Sequence, residues 1–109
     1  MKLHERVTAE TWTQRVAARA ADGSPVVNVK DRRAVAWCLM GALERFDRLD
    51  RDLPRVADAA RALFPQRIAA ARPPWFTLRD HDEWAVAHFN DHRATTVEDV
   101  LRVLKLADV

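Results

Sequence analysis

Residues 31–46 read Asp31-Arg32-Arg33-Ala34-Val35-Ala36-Trp37-Cys38-Leu39-Met40-Gly41-Ala42-Leu43-Glu44-Arg45-Phe46, and the class of the fold turns on how this stretch is taken. Val35, Cys38, Leu39, Ala42 and Phe46 return at helical spacing with Leu43 beside them, while Arg32, Arg33, Glu44 and Arg45 fall elsewhere. That is the pattern of an amphipathic helix with one buried stripe. Asp31 is placed to cap it, and the stretch is expected to form the central helix of an all-α protein. Gly41 in its interior costs about 1 kcal/mol of helix propensity relative to Ala, which points to another helix passing close there.

Toward the N-terminus, a first helix is expected to begin at Thr8 or Thr11, and Thr11-Trp12-Thr13-Gln14 fits a capping box. Trp12, Val16 and Arg19 or Ala20 then recur at helical spacing until Asp22-Gly23-Ser24-Pro25 stops the run. Val26-Val27-Asn28-Val29 reads as a short extended piece without a partner strand.

Toward the C-terminus, Glu44 to Arg55 mixes charges as a solvated face and linker, with Glu44–Arg48 and Asp47–Arg51 as helical acid–base pairs. Asp52-Leu53-Pro54 opens a third helix whose apolar line is Val56, Ala60 and Leu63. Pro65 breaks it, Arg67 to Ala71 adds a turn, and Arg72-Pro73-Pro74 ends the segment. Trp75 and Phe76 are expected to plug the core from a loop. Asp80-His81-Asp82-Glu83 supplies acidic caps for a fourth helix through Trp84, Ala87 and Phe89, closed by Asn90-Asp91-His92. Thr96-Val97-Glu98-Asp99 starts the last helix, with Val97, Val100, Leu101 and Leu104 inward; Val103 and Leu106 widen its apolar surface. The expectation is an all-α, small irregular or orthogonal bundle of about five helices in a single domain, 1–109, with one short extended segment at 26–30.

Composition agrees. At 109 residues the chain suits one core. Ala with 19 copies and Arg with 15 lead the composition and favour helix. No apolar run approaches the roughly 18 residues that cross a bilayer, and Met1-Lys2-Leu3-His4-Glu5-Arg6 is too charged to open a signal peptide. No membrane association and a cytoplasmic location are expected. The single Cys38 excludes an internal disulfide and a CxxC site. A net charge of +2 comes from finely interspersed signs, which argues against nucleic acid. Arg45, Arg48, Arg51 and Arg55, and separately Arg32-Arg33, are the basic clusters, and Asp47, Asp50 and Asp52 dilute the former.

Three constellations bear on chemistry. Cys38 with His88 and Asp91 has the composition of an activated thiol nucleophile with base and orienting group, and a helix start would lower the thiol pKa; the plainer reading is a buried, inert cysteine. His81, Ala85, His88 and His92 follow one helical face near several carboxylates, but no HExxH or ExxH pattern accompanies them, and no metal or other cofactor is assigned. Trp37, Asn90 and Trp84 are the candidate ligand-binding residues: Trp37 lies off the central stripe, at a cleft or dimer contact, and Asn90-Asp91 serves either a ligand or the closing of the fourth helix, Asp91 then binding loop N–H groups.

Two segments, Trp37-Cys38-Leu39-Met40-Gly41-Ala42-Leu43 and Phe89-Asn90-Asp91-His92-Arg93-Ala94-Thr95-Thr96-Val97-Glu98-Asp99-Val100-Leu101, resemble a family of small uncharacterised bacterial proteins, frequent in actinobacteria and their phages. That family carries an aromatic-Cys-x-x-Gly-Ala-Leu helix, a Trp-Asn-Asp segment and a terminal Thr-x-x-Asp/Glu-Val helix; Phe89 stands where its Trp is usual. The resemblance spans roughly 34–107 and implies that Cys38, Gly41, Asn90 and Asp91 merit attention, without roles. The expected function is a small accessory or binding protein engaging a partner protein or a small molecule, with homodimerisation as one mode. The alternative is a small cysteine- or metal-assisted hydrolase or transferase in specialised metabolism, using Cys38 with His88 and Asp91.

Overall fold

The computed structural model describes residues 1–70 and 73–109. Its order is β1 (Ala18–Ala20), β2 (Pro25–Val26), β3 (Ala34–Trp37), α1 (Leu39–Arg45), α2 (Leu49–Leu63), α3 (Leu78–Asp91) and α4 (Val97–Leu106), with 3-10 turns at Leu3–Glu5 and Pro65–Arg67. A small helical bundle of four helices therefore carries a short antiparallel sheet of order β2-β1-β3. No helix among the described residues is long and apolar enough to cross a membrane.

The helix expected from Thr11 to Ala20 does not form. Thr11 Oγ1 donates to the Arg6 carbonyl at 2.8 Å and accepts the Thr8 N–H at 2.9 Å, so it closes a turn instead of capping a helix. Arg15 has φ 71°, left-handed backbone that a right-handed helix cannot contain. Gln14, needed for the capping box, and Trp12 send their side chains to the far end of α3. Residues 18–20 are thereby left free to pair as β1.

That change supplies the partner that the extended segment lacked. Pro25 and Val26 pair with Arg19 and Ala18 across a turn held by Gly23 (φ 86°) and by Asp22, whose carboxylate accepts the Ser24 N–H and hydroxyl. The expected central helix is also divided. Ala34–Trp37 forms β3 against β1, with a bulge at Arg19/Ala20. Its inward and outward residues alternate, so Ala34 and Ala36 are buried while Val35, expected on the core stripe, is 43% exposed. Asp31 caps a loop turn through the Arg33 N–H, and the helix begins only after Cys38. The structural reason for Gly41 is then visible: a Cβ there would stand 2.2 Å from the Ala17 carbonyl oxygen. The close neighbour is the backbone entering β1, not another helix.

Farther along, the mixed-charge stretch expected as a linker belongs largely to α2, which runs through Pro54 and buries Leu53, Val56, Ala57 and Ala60. The turn expected at Arg67–Ala71 does not form over residues 68–70, the 3-10 turn lying earlier, at Pro65–Arg67; Ala71 and Arg72, where that segment is expected to end, lie outside the described residues. Trp75 does not plug the core and is 76% exposed. Capping boxes open the last two helices, Thr77 with Asp80 for α3 and Thr96 with Asp99 for α4. Leu43, Leu53, Val56, Val86, Phe89, Val100, Val103 and Leu104 fill the main core, where Phe64 stacks on Phe89 at 5.2 Å. Ala18, Val26, Val29 and Ala34 form a smaller cluster at the sheet, and Trp37 packs against both.

Candidate functional site

The last turn of α3 and the residue that follows it present Asn90, Asp91 and His92 to the N-terminal segment. Asn90 is 1% exposed and uses every hydrogen-bonding position of its carboxamide. Its Oδ1 accepts from Trp12 Nε1 at 2.7 Å and from the Leu39 N–H at 3.0 Å. Its Nδ2 donates to the Thr13 carbonyl at 3.2 Å and to Asp91 Oδ1 at 2.9 Å. Both donors to Oδ1 are obligate N–H groups, which fixes the orientation of the amide. Asp91 Oδ1 also accepts the Arg15 N–H at 2.8 Å, holding that left-handed residue in place. Gln14 Nε2 donates to the carbonyls of Asn90 and His92. Asn90 is thus a latch between the N-terminal segment, α1 and α3, with no position left over for a ligand, and Asp91 binds a loop N–H.

Asp91 also lines an open cleft of about 450 Å³ with His88 and His92 from the end of α3 and Gln66 and Arg67 from the 3-10 turn after α2. Arg67 is oriented from three sides: Asp99 accepts at 2.7 Å, Thr95 Oγ1 at 3.3 Å, and the Phe64 ring lies 4.4 Å beneath the guanidinium carbon. His92 Nδ1 accepts the Ala94 N–H at 3.1 Å, so in the neutral ring Nε2 carries the proton. His88 stacks on Trp84 with centroids 4.2 Å apart, and neither of its ring nitrogens has a protein partner among the described residues. Trp84 is itself fixed by its Nε1 donating to the Ala69 carbonyl at 2.7 Å.

Cys38 has a different environment. It is the N-cap of α1, and its Sγ accepts the Gly41 N–H at 3.2 Å. The thiol pKa is raised: burial pushes it up and the Asp91 carboxylate adds to this, outweighing the Gly41 N–H, which pulls it down. The lowering expected from a helix start does not prevail. No hydrogen bond joins Cys38 to His88 among the described residues, and Cys38 does not line the His88 cleft. Trp37 lies in β3 and donates from Nε1 to the Val29 carbonyl at 2.9 Å, bridging the two cores.

His81 faces a separate hollow of about 260 Å³, shared with Arg61, Pro65 and Trp84, and packs edge-on to Phe76. Among the described residues no three His, Cys, Asp or Glu side chains converge as metal ligands. Gln66 and Arg67 were not singled out as site residues from the sequence, and neither was the latch role of Trp12 and Gln14. No local pattern marks these roles, because the partners lie on distant elements.

The chain belongs to a family of unknown function, DUF6197, whose family model it matches over residues 2–108. No curated protein and no solved structure matches it.

Proposed function

Starting from membership of a family whose name carries no activity, we propose that the protein is a non-enzymatic binding protein that takes a small polar molecule into the cleft over the end of α3. One observation carries this reading: His88, Asp91 and His92 from one element and Gln66 and Arg67 from another line a single opening of about 450 Å³, within the size range of small-molecule sites. The imidazole edge of His88, on its Trp84 platform and without a partner among the described residues, is the group offered to the ligand. Binding is favoured over thiol chemistry because Cys38 is engaged by its own helix and its pKa is raised.

Titration of the ¹⁵N-labelled protein with a panel of small carboxylic acids, amino acids and monosaccharides tests it. Saturable amide shifts confined to residues 66–69 and 87–92 are expected, with His88→Ala weakening the hit about tenfold, the value of one strong hydrogen bond, and Cys38→Ser leaving it unchanged. Failure of every panel member to saturate that cleft, or dependence on Cys38 in place of His88, overturns the reading.

A partner protein is the second reading, favoured by Leu78 at 87% exposure beside a mainly apolar groove formed with Leu49, Leu53 and Pro54. Asp50 and Asp82 border that groove but are already paired with Arg79 and Arg61, so the fitting occupant is an apolar segment held by the area it buries.

A further inference from the structure

The arginines from 48 to 55 look neutralised by the aspartates between them, and the fold undoes that. Asp47, at φ 57° between α1 and α2, turns to Lys30 at 2.5 Å. Asp50 turns to Arg79 on α3. Arg48, Arg51 and Arg55 fall together on one side of α2 at helical spacings of three and four, and Asp52, the acid that stays with them, is 1% exposed beneath them. Its carboxylate holds Arg48 Nη1 at 3.4 Å, Arg51 Nε at 3.3 Å and Arg55 Nη1 at 3.8 Å. Asp52 therefore acts as the peg that gathers three guanidinium groups.

These groups open on a cleft of about 470 Å³ completed by Lys2 and Asp108. Lys2 Nζ binds the Asp108 carboxylate and carbonyl at 3.0 Å each, and Arg55 Nη2 reaches the same carbonyl at 3.4 Å. Four cations thus face two carboxylates, one of them buried, and two positive charges are left over. The field shows in Asp108, whose carboxyl is held below its usual range by the hydrogen bond from Lys2 and by the charges of Lys2, Arg55 and His4. Arg51 spends only Nε on Asp52; both of its Nη groups are without a partner among the described residues, which leaves the planar fork that matches phosphate oxygens.

We propose that this cleft is a binding site for a phosphate monoester dianion, gripped by Arg51 and Arg55 with Lys2 and Arg48 supplying charge. The convergence of the guanidiniums on one bounded opening favours a small ligand over nucleic acid, which needs basic groups spread along a face. The site shares no residue with the His88 cleft and stands or falls apart from it.

Calorimetric titration with inorganic phosphate and with phenyl phosphate, at ionic strength held constant with chloride, tests the site; ¹⁵N signals of the arginine Nε–H groups report its place. Saturable binding is expected, with shifts at Arg51 and Arg55. Arg51→Gln and Arg55→Gln, both at exposed side chains, should each weaken it at least about tenfold while circular dichroism shows each variant still folded at the temperature of titration. Phosphatidic acid headgroups offer the same monoester chemistry; co-sedimentation with phosphatidic acid vesicles, competed by phenyl phosphate, separates that source from a soluble ligand, and either source supports the site. Non-saturating shifts, an equal response to chloride, unchanged affinity in both variants, or saturation by duplex DNA but not by phosphate would each overturn the proposal.

Discussion

Four hydrogen bonds converge on the carboxamide of Asn90, two accepted and two donated, and no other side chain of its size makes all four. Aspartate would set a buried charge against the Thr13 carbonyl and the Asp91 carboxylate; leucine would leave the Trp12 and Leu39 N–H groups unmatched. Asn90→Ala is expected to lower the unfolding free energy by about 3 kcal/mol, because buried donors left without acceptors cost about 1–3 kcal/mol each; urea denaturation measures it, and a loss under about 1 kcal/mol would contradict the latch. The same residue shows why the site was only half legible. Asn90-Asp91 signals a helix end and an Asp bound to loop N–H groups, both of which occur, but nothing local reveals that Trp12 and Gln14 are the partners, 78 and 76 residues away. His88 and Asp91 do share a cleft, one helical turn apart, whereas Cys38 is assigned to its own cap by packing that only the fold supplies.

Among the elements, legibility follows the range of the interactions that define them. The start of α4 is written in four consecutive residues: Thr96 accepts the Asp99 N–H, and Asp99 accepts the Thr96 N–H. The strands are not so written, because Ala18–Ala20 and Ala34–Trp37 have helix-compatible composition and become a sheet only when Arg15 is held left-handed. Asp99 also carries a pH dependence. Burial raises its carboxyl pKa, but the hydrogen bond and charge of Arg67 and the Thr96 bonds outweigh that, leaving it below the ordinary 3.8. Its contribution to stability is therefore complete above the unfolded value and is lost as pH falls through the lower, folded one. Asp99→Asn is expected to flatten the acid limb of a stability–pH curve recorded from pH 6 to pH 2. An unchanged limb would show that the Arg67 pair contributes nothing there.

At the scale of the molecule, the small sheet and the bundle approach each other closely at Gly41. The Ala17 carbonyl accepts the Cys38 N–H at 3.1 Å and occupies the space of a Cβ on residue 41. Gly41→Ala must move backbone, at an expected cost of about 1–3 kcal/mol. The loss should be uneven: hydrogen exchange ought to quicken at Ala18–Ala20 and Ala34–Trp37 while α2, α3 and α4 keep their protection, and uniform loss would show that sheet and bundle unfold as one. The latch, for its part, has an order built into it. During synthesis, residues 12–15 leave the ribosome long before Asn90 and Asp91 exist to receive them, so the N-terminal segment cannot be locked until α3 is nearly complete. A chain halted before Asn90 has cleared the ribosome should hold β1 and β3 unsecured and open to proteases and chaperones, because the group that ties the N-terminal segment to α3 has not yet reached it.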